Sequence, residues 1–128
     1  MSANVSTLSP DARRLLETTR ELIRAPEHWT QHTYARVRPG GRDVQPTNPK
    51  ATCWCIAGAK IKAAADLGIS RNYGVDYESK LALLRACDRL FSDNDVIDYV
   101  DVNDILGHAA VLRLLAVALG EDDPGAAA

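Results

Sequence analysis

The chain has 128 residues, a formal net charge of −2, 46% hydrophobic residues and 25% charged residues. These values are those of a soluble globular chain, and the length suits a single domain over residues 1–128 with one core, which excludes a large multidomain enzyme. Only 5% of residues are aromatic, and the apolar content is mostly Ala, Leu, Val and Ile, which favours packed helices over a sheet of Tyr, Phe and Thr.

Ser9-Pro10-Asp11 predicts a helix start, with a Ser cap, Pro at the first helical position and an acid on the positive end of the dipole. Ala12, Leu15, Leu16, Thr19, Leu22 and Ile23 then form one stripe that ends at Ala25-Pro26. A second short helix over 26–36 would carry Trp29 and Tyr34. Pro39-Gly40-Gly41 and Pro46, Asn48 and Pro49 mark a long connection over 37–50. The Ala-rich run from Thr52 to Leu67 predicts a helix capped by Gly68, with Cys53 on its apolar arc and Cys55 on the arc of Lys62 and Asp66. Residues 73–76 read as a loop and 77–91 as a helix with Cys87 inside its stripe. Asp93, Asp95, Asp98, Asp101 and Asp104 line an acidic connection with a short extended segment. The last helix, from Asn103 or Asp104 to Leu119, is apolar nearly all round and is expected at the centre. The fold class is therefore mainly α, a compact helical bundle of about four helices, with residues 1–8 and 121–128 as loose tails.

No run of 18 apolar residues and no signal peptide at Met1–Pro10 is present, so no membrane partner and a cytoplasmic location are expected. Cys53, Cys55 and Cys87 are odd in number and poorly spaced for disulfides, which fits a reducing compartment. The small net charge hides a split: residues 1–62 carry +5 and the remainder −7. A basic half is a candidate nucleic-acid footprint, but its bases are scattered with little aromatic interleaving. A dipolar surface whose halves pair in the fold is the simpler reading.

Cys53-Trp54-Cys55 is the sharpest local feature, because a helix N-terminus lowers a thiol pKa and makes a nucleophile available. His108 as base, with Asn103 or Asp104 orienting it, would complete a catalytic relay. The ordinary roles of these residues are a core histidine beside Leu112, Leu115 and Leu119 and two helix caps. Cys53-Trp54 resembles the Cys-Trp pair of papain-like proteases. However, Ala51-Thr52 stand where that signature needs Gly and a small residue, and the Cys-to-His interval is far too short. His28, His32, Cys53 and Cys55 offer soft metal ligands at unsuitable spacing, and the acidic run lacks the calcium-loop pattern, so no metal is expected. No phosphate-cradling or nucleophile-elbow motif is present, and no cofactor is expected. Gly58 would allow close helix packing, and Lys60 lies on an apolar arc, where snorkelling or pairing with an acid is the ordinary account.

Three blocks carry a resemblance: Pro26-Glu27-His28-Trp29-Thr30-Gln31, then Ala51-Thr52-Cys53-Trp54-Cys55 with Gly58-Ala59, and last Asn103-Asp104 with Gly107-His108 and Val111-Leu112. The chain resembles an uncharacterised domain-of-unknown-function family of small bacterial and phage proteins. That resemblance implies a small intracellular protein linked to phage or mobile elements, and brings no activity. The family pattern places Gly after Trp-Thr-Gln and Trp before Asn-Asp, where this chain has His32 and Val102.

The three blocks are expected to meet at one end of the helices. There Trp29, Thr30, Gln31 and Trp54 either lock the 37–50 loop in place or line a small binding pocket. The favoured function is a protein-interaction or regulatory module with a protein partner. The alternatives are a cysteine-dependent hydrolase or transferase using Cys53, Cys55, His108, Asn103 and Asp104, and nucleic-acid binding through the basic half.

Overall fold

The structure, a computed structural model, describes residues 8–125. These are mainly α: α1 (Pro10–Ile23), α2 (Ile56–Asp66), α3 (Tyr73–Phe91), a short turn α4 (Tyr99–Asp101) and α5 (His108–Ala118). A two-stranded antiparallel ribbon pairs β1 (Ala35–Arg36) with β2 (Cys53–Trp54), placing Ala35 opposite Trp54 and Arg36 opposite Cys53. No described helix is long and apolar enough to cross a membrane.

The start of α1 follows its sequence signals: Pro10 is the first helical residue and the Ser9 hydroxyl accepts from the Ala12 N–H at 3.2 Å. Glu78 of α3 adds a long-range tie, accepting from the Ser9 N–H at 2.6 Å and from its hydroxyl at 2.8 Å. The stripe Ala12, Leu15, Leu16, Thr19 and Ile23 is buried. Helix α1 packs against α2, α3 and α5, and α5 packs against α3. The centre is therefore shared by α1 and α5, whereas the apolar last helix alone pointed to α5. Leu16, Ile23, Ile56, Leu83, Leu114 and Leu115 are fully enclosed, each contributing roughly 1.5–3 kcal/mol by burial. Cys87 lies in this core.

Four element boundaries differ from the sequence reading. Residues 26–36 make a single 3₁₀ turn at Pro26–His28 before the backbone extends into β1. Helix α2 begins at Ile56 and not Thr52, because the Thr52 N–H bonds Arg36 O (3.0 Å) and the Cys55 N–H bonds Tyr34 O (3.3 Å), drawing 52–55 into the ribbon. Helix α3 starts four residues earlier than its apolar stripe, at Tyr73, with Asn72 Oδ1 accepting from the Val75 N–H at 3.1 Å. The acidic connection forms no strand. Its Asp98 carboxylate accepts from the Val100 and Asp101 N–H groups (3.0 and 3.1 Å) and starts α4, which continues into a π-turn over Val102–Leu106. A Gly107 N–H to Val102 O bond of 3.1 Å closes this turn, and Gly107, at φ 100°, separates it from α5. Asn103 and Asp104 thus sit in the π-turn and do not cap the last helix.

Gly68 ends α2 as its sequence position implies. The connection between β1 and β2 is held down by Trp54, whose indole N–H bonds Pro46 O at 2.9 Å. Of the two expected tails, residues 1–7 and 126–128 lie outside the described residues. Residues 121–125 are tied back: Glu121 pairs with Arg20 at 2.7 Å and Asp123 with Arg113 at 2.8 Å.

Candidate functional site

The three sequence blocks meet around Asn103, which is fully buried in the π-turn. Its Oδ1 accepts from Trp29 Nε1 at 2.8 Å and from the Ile56 N–H at the start of α2 at 3.0 Å. Its Nδ2 donates to Thr30 O at 3.1 Å and to Asp104 Oδ1 at 3.0 Å. Two acceptor lone pairs and two donors are the whole capacity of an amide, so the side chain is saturated. Gln31 Nε2 reaches the Asn103 and Asp104 carbonyls at 3.1 and 3.3 Å, and the Thr30 N–H bonds Trp54 O at 3.1 Å. Trp29 also lies 5.1 Å from the His108 ring, tilted by 39°.

His108 does not meet the thiols. Its Nε2 lies 2.7 Å from Ile23 O at the end of α1, and since a carbonyl only accepts, that nitrogen carries the proton and is occupied. Cys53 stands in β2 with its Sγ 3.7 Å from Arg36 O. Cys55 is the thiol that caps α2, accepting from the Gly58 N–H at 3.3 Å. It is buried, not on the outer arc with Lys62 and Asp66. Burial pushes both thiols above their ordinary range, and the Asp104 charge raises Cys55 further. The helix start therefore supplies Cys55 with an N–H partner without supplying a free thiolate at neutral pH. Among the described residues no hydrogen bond joins either thiol to His108, and no group of three or more His, Cys, Asp or Glu side chains could hold a metal ion. His28 Nδ1 is 2.8 Å from Thr52 O.

Gly58 has a specific reason to be glycine. A Cβ there would stand 1.9 Å from Tyr34 O, so the close approach is of the Tyr34 backbone onto α2 and not of one helix on another. That approach brings Tyr34 between two cavities. One, of about 380 Å³, is lined by His32, Thr33, Tyr34, Cys55, Ala57, Val100 and Asp104. His32 sits at φ 68°, in the left-handed region that residues other than glycine seldom adopt, and its N–H donates to Asp104 Oδ1 at 2.9 Å. Its ring Nδ1 is 3.7 Å from Asp104 Oδ2. The histidine nearest a thiol-lined cavity is thus His32, a residue whose spacing in the sequence suggested only a metal ligand.

The second cavity, about 260 Å³, includes Tyr34, Lys60, Asp76, Lys80 and Tyr99. Lys60 is 5% exposed, with Nζ 3.2 Å from Asp76 Oδ1 and 5.7 Å from the centre of the Tyr99 ring. Burial lowers its pKa and Asp76 opposes that shift. Asp76 and Lys80 share a helical face with Tyr73 and Tyr77, which are 75% and 62% exposed, as Tyr34 is at 55%. Tyr34 and Tyr99 line this cavity, and Tyr73 and Tyr77 stand on α3, the helix that supplies Asp76 and Lys80. The place of Tyr73 on that helix was hidden because 73–76 read as a loop, and the available signal was Asn72 as a helix cap.

The chain belongs to a family of unknown function, DUF6197, whose model matches residues 8–121. No curated protein and no solved structure matches it.

Proposed function

We propose that the chain is a non-catalytic protein-interaction or regulatory module, whose recognition face carries Tyr34, Tyr73 and Tyr77 beside the Lys60 cavity. The observation that carries this reading is the exposure of three large amphipathic rings, one lining the Lys60 cavity and two on the helix that supplies Asp76 and Lys80, while the polar groups of the Asn103 junction are satisfied by one another. Tyrosine is enriched in protein interfaces because it brings a large contact area and a polar tip with few rotors to freeze. Trp29, Thr30, Gln31 and Trp54 act in this account as fasteners, since the two indole N–H groups, the Thr30 hydroxyl and the Gln31 amide N–H are engaged inside the fold.

Nucleic-acid binding draws less support, because several first-half cations are already engaged: Arg13 with Leu119 O, Arg20 with Glu121, Arg36 with Asp43 and Lys60 with Asp76. One observation favours the thiol alternative: Cys55 and the His32–Asp104 pair share a cavity. In that reading Cys55 is the nucleophile, and His32 replaces His108 as its base.

Affinity capture from lysate tests the interaction reading, using wild type, Tyr34→Ala/Tyr77→Ala and Cys55→Ser. A partner held by wild type and Cys55→Ser but lost by the tyrosine variant is the expected result. Recovery that ignores the tyrosines would overturn it.

A further inference from the structure

The 260 Å³ cavity combines apolar walls from Ala57, Ile61 and Ala64 with several polar residues. Tyr34, Ser70, Lys60, Lys80 and Tyr99 all present N–H or O–H groups, and Asp76 is the one carboxylate among them. Lys60 comes from the buried side of α2, beside Ile56, Ala59 and Ala63, and is itself 5% exposed, so its ammonium is largely desolvated at the cavity wall. An ammonium has three donors, of which Asp76 takes one. The Asp76 side chain is 56% exposed and free to swing toward solvent. Burying a charge is unfavourable, and an apolar side chain of similar length would fill the same space, so the core does not need this ammonium. Two ammonium groups against one carboxylate leave the cavity at +1, and the Lys80 charge adds to burial in disfavouring protonated Lys60. A second carboxylate would restore neutrality, whereas a phosphate dianion would overshoot it. No arginine fork, the usual reader of phosphate, lines the cavity.

We propose that this cavity is the recognition site for a carboxylate side chain on an acidic segment of the protein partner, with Lys60 as the anchor at its floor, Lys80 at its rim and the exposed rings of Tyr34 and Tyr77 flanking the bound chain. This rests on the interaction-module reading and specifies the chemistry of the partner. Asp76 is the internal occupant that the incoming carboxylate displaces or joins. A neutral substitution at Asp76 therefore strengthens binding, an outcome that a purely structural ion pair does not produce.

The test is an NMR titration of the ¹⁵N-labelled full chain with an acetylated, amidated octapeptide of alternating Glu and Leu. Its Gln-Leu counterpart, sodium glutamate and a mixed-sequence single-stranded oligonucleotide serve as comparison probes. Saturable shifts at the amides of residues 57, 60, 76 and 80 are expected with the Glu peptide. The Gln peptide should be silent and free glutamate far weaker. Lys60→Met should fold and lose about tenfold in affinity, Lys80→Ala about threefold, and Asp76→Asn should gain about threefold. Absence of saturable shifts at these amides, a Gln peptide that binds equally, or tighter occupation by the oligonucleotide would each overturn the proposal. Should Lys60→Met fail to fold, Asp76→Asn decides: unchanged or weaker binding overturns it. A lysate partner recovered through Tyr34 and Tyr77 with equal yield by Lys60→Met would sink the carboxylate site while leaving the interaction reading intact.

Discussion

Asn103 joins segments 47 to 74 residues away through three side-chain bonds, and a fourth runs to Asp104 beside it. Asn103→Ala strands the Trp29 indole N–H, the Ile56 N–H and the Thr30 carbonyl. At about 1–3 kcal/mol for each buried group left unpaired, urea unfolding should show a loss of about 3 kcal/mol or more. Asn103→Asp keeps the acceptor but turns an oxygen toward Thr30 O and the Asp104 carboxylate, so it should not rescue stability at neutral pH. A loss under about 1 kcal/mol for Asn103→Ala would contradict the saturated-amide account. The sequence singled out Asn103, but as the cap of the last helix. Capping is a local relation that a single sequence displays, whereas the real partners are fixed only when distant segments fold together. Lys60 was more legible: an ammonium on an apolar arc needs an acid or a route to water, and Asp76 is the acid it finds.

Helices were legible where their own sequence pays for them, and ribbon and turn were not. Helix α1 carries its cap, its Pro and its stripe in one run, whereas the helix start expected at Thr52 yields to hydrogen bonds that the Thr52 and Cys55 N–H groups donate to the Arg36 and Tyr34 carbonyls. The π-turn likewise has no local signature, since Asp98, which caps α4 before it, and Gly107, which follows it, read equally well as loop residues. Beyond α5, the chain is held by a two-point ion pair, with Arg113 Nε and an Nη donating to the two Asp123 oxygens at 2.9 and 2.8 Å. This partner holds the Asp123 carboxyl down at about 2, from an ordinary 3.8. A folded-state pKa below the unfolded one contributes stability that is present above the unfolded value and lost as pH falls through the folded one. Thermal unfolding followed from about pH 6 to about pH 2 should therefore show a shallower acid-side decline for Asp123→Asn than for wild type. Part of the slope should remain, because Arg20 depresses Glu121 in the same sense. Superimposable slopes would contradict the anchoring role.

Across the whole molecule, the charge split visible in the sequence becomes a set of contacts between halves: Arg20 to Glu121, Lys60 to Asp76 and Lys62 to Asp66. The tyrosines did not stand out together at that scale, because Tyr34, the α3 pair Tyr73 and Tyr77, and Tyr99 of α4 come from three segments far apart in the chain. An inner junction fastens the fold, and the exposed tyrosines lie outside it on the face proposed to meet a partner. Cys55 belongs to the junction yet touches a cavity, so its ionisation separates this account from thiol catalysis most directly. The measurement is the rate of iodoacetamide alkylation of Cys55 against pH in the native chain, resolved from Cys53 by tandem mass spectrometry of the tryptic peptide 51–60. The account predicts a midpoint above the ordinary thiol value of about 8.5 and slow reaction at neutral pH. A midpoint below about 7 with rapid alkylation would reveal a stabilised thiolate and contradict it.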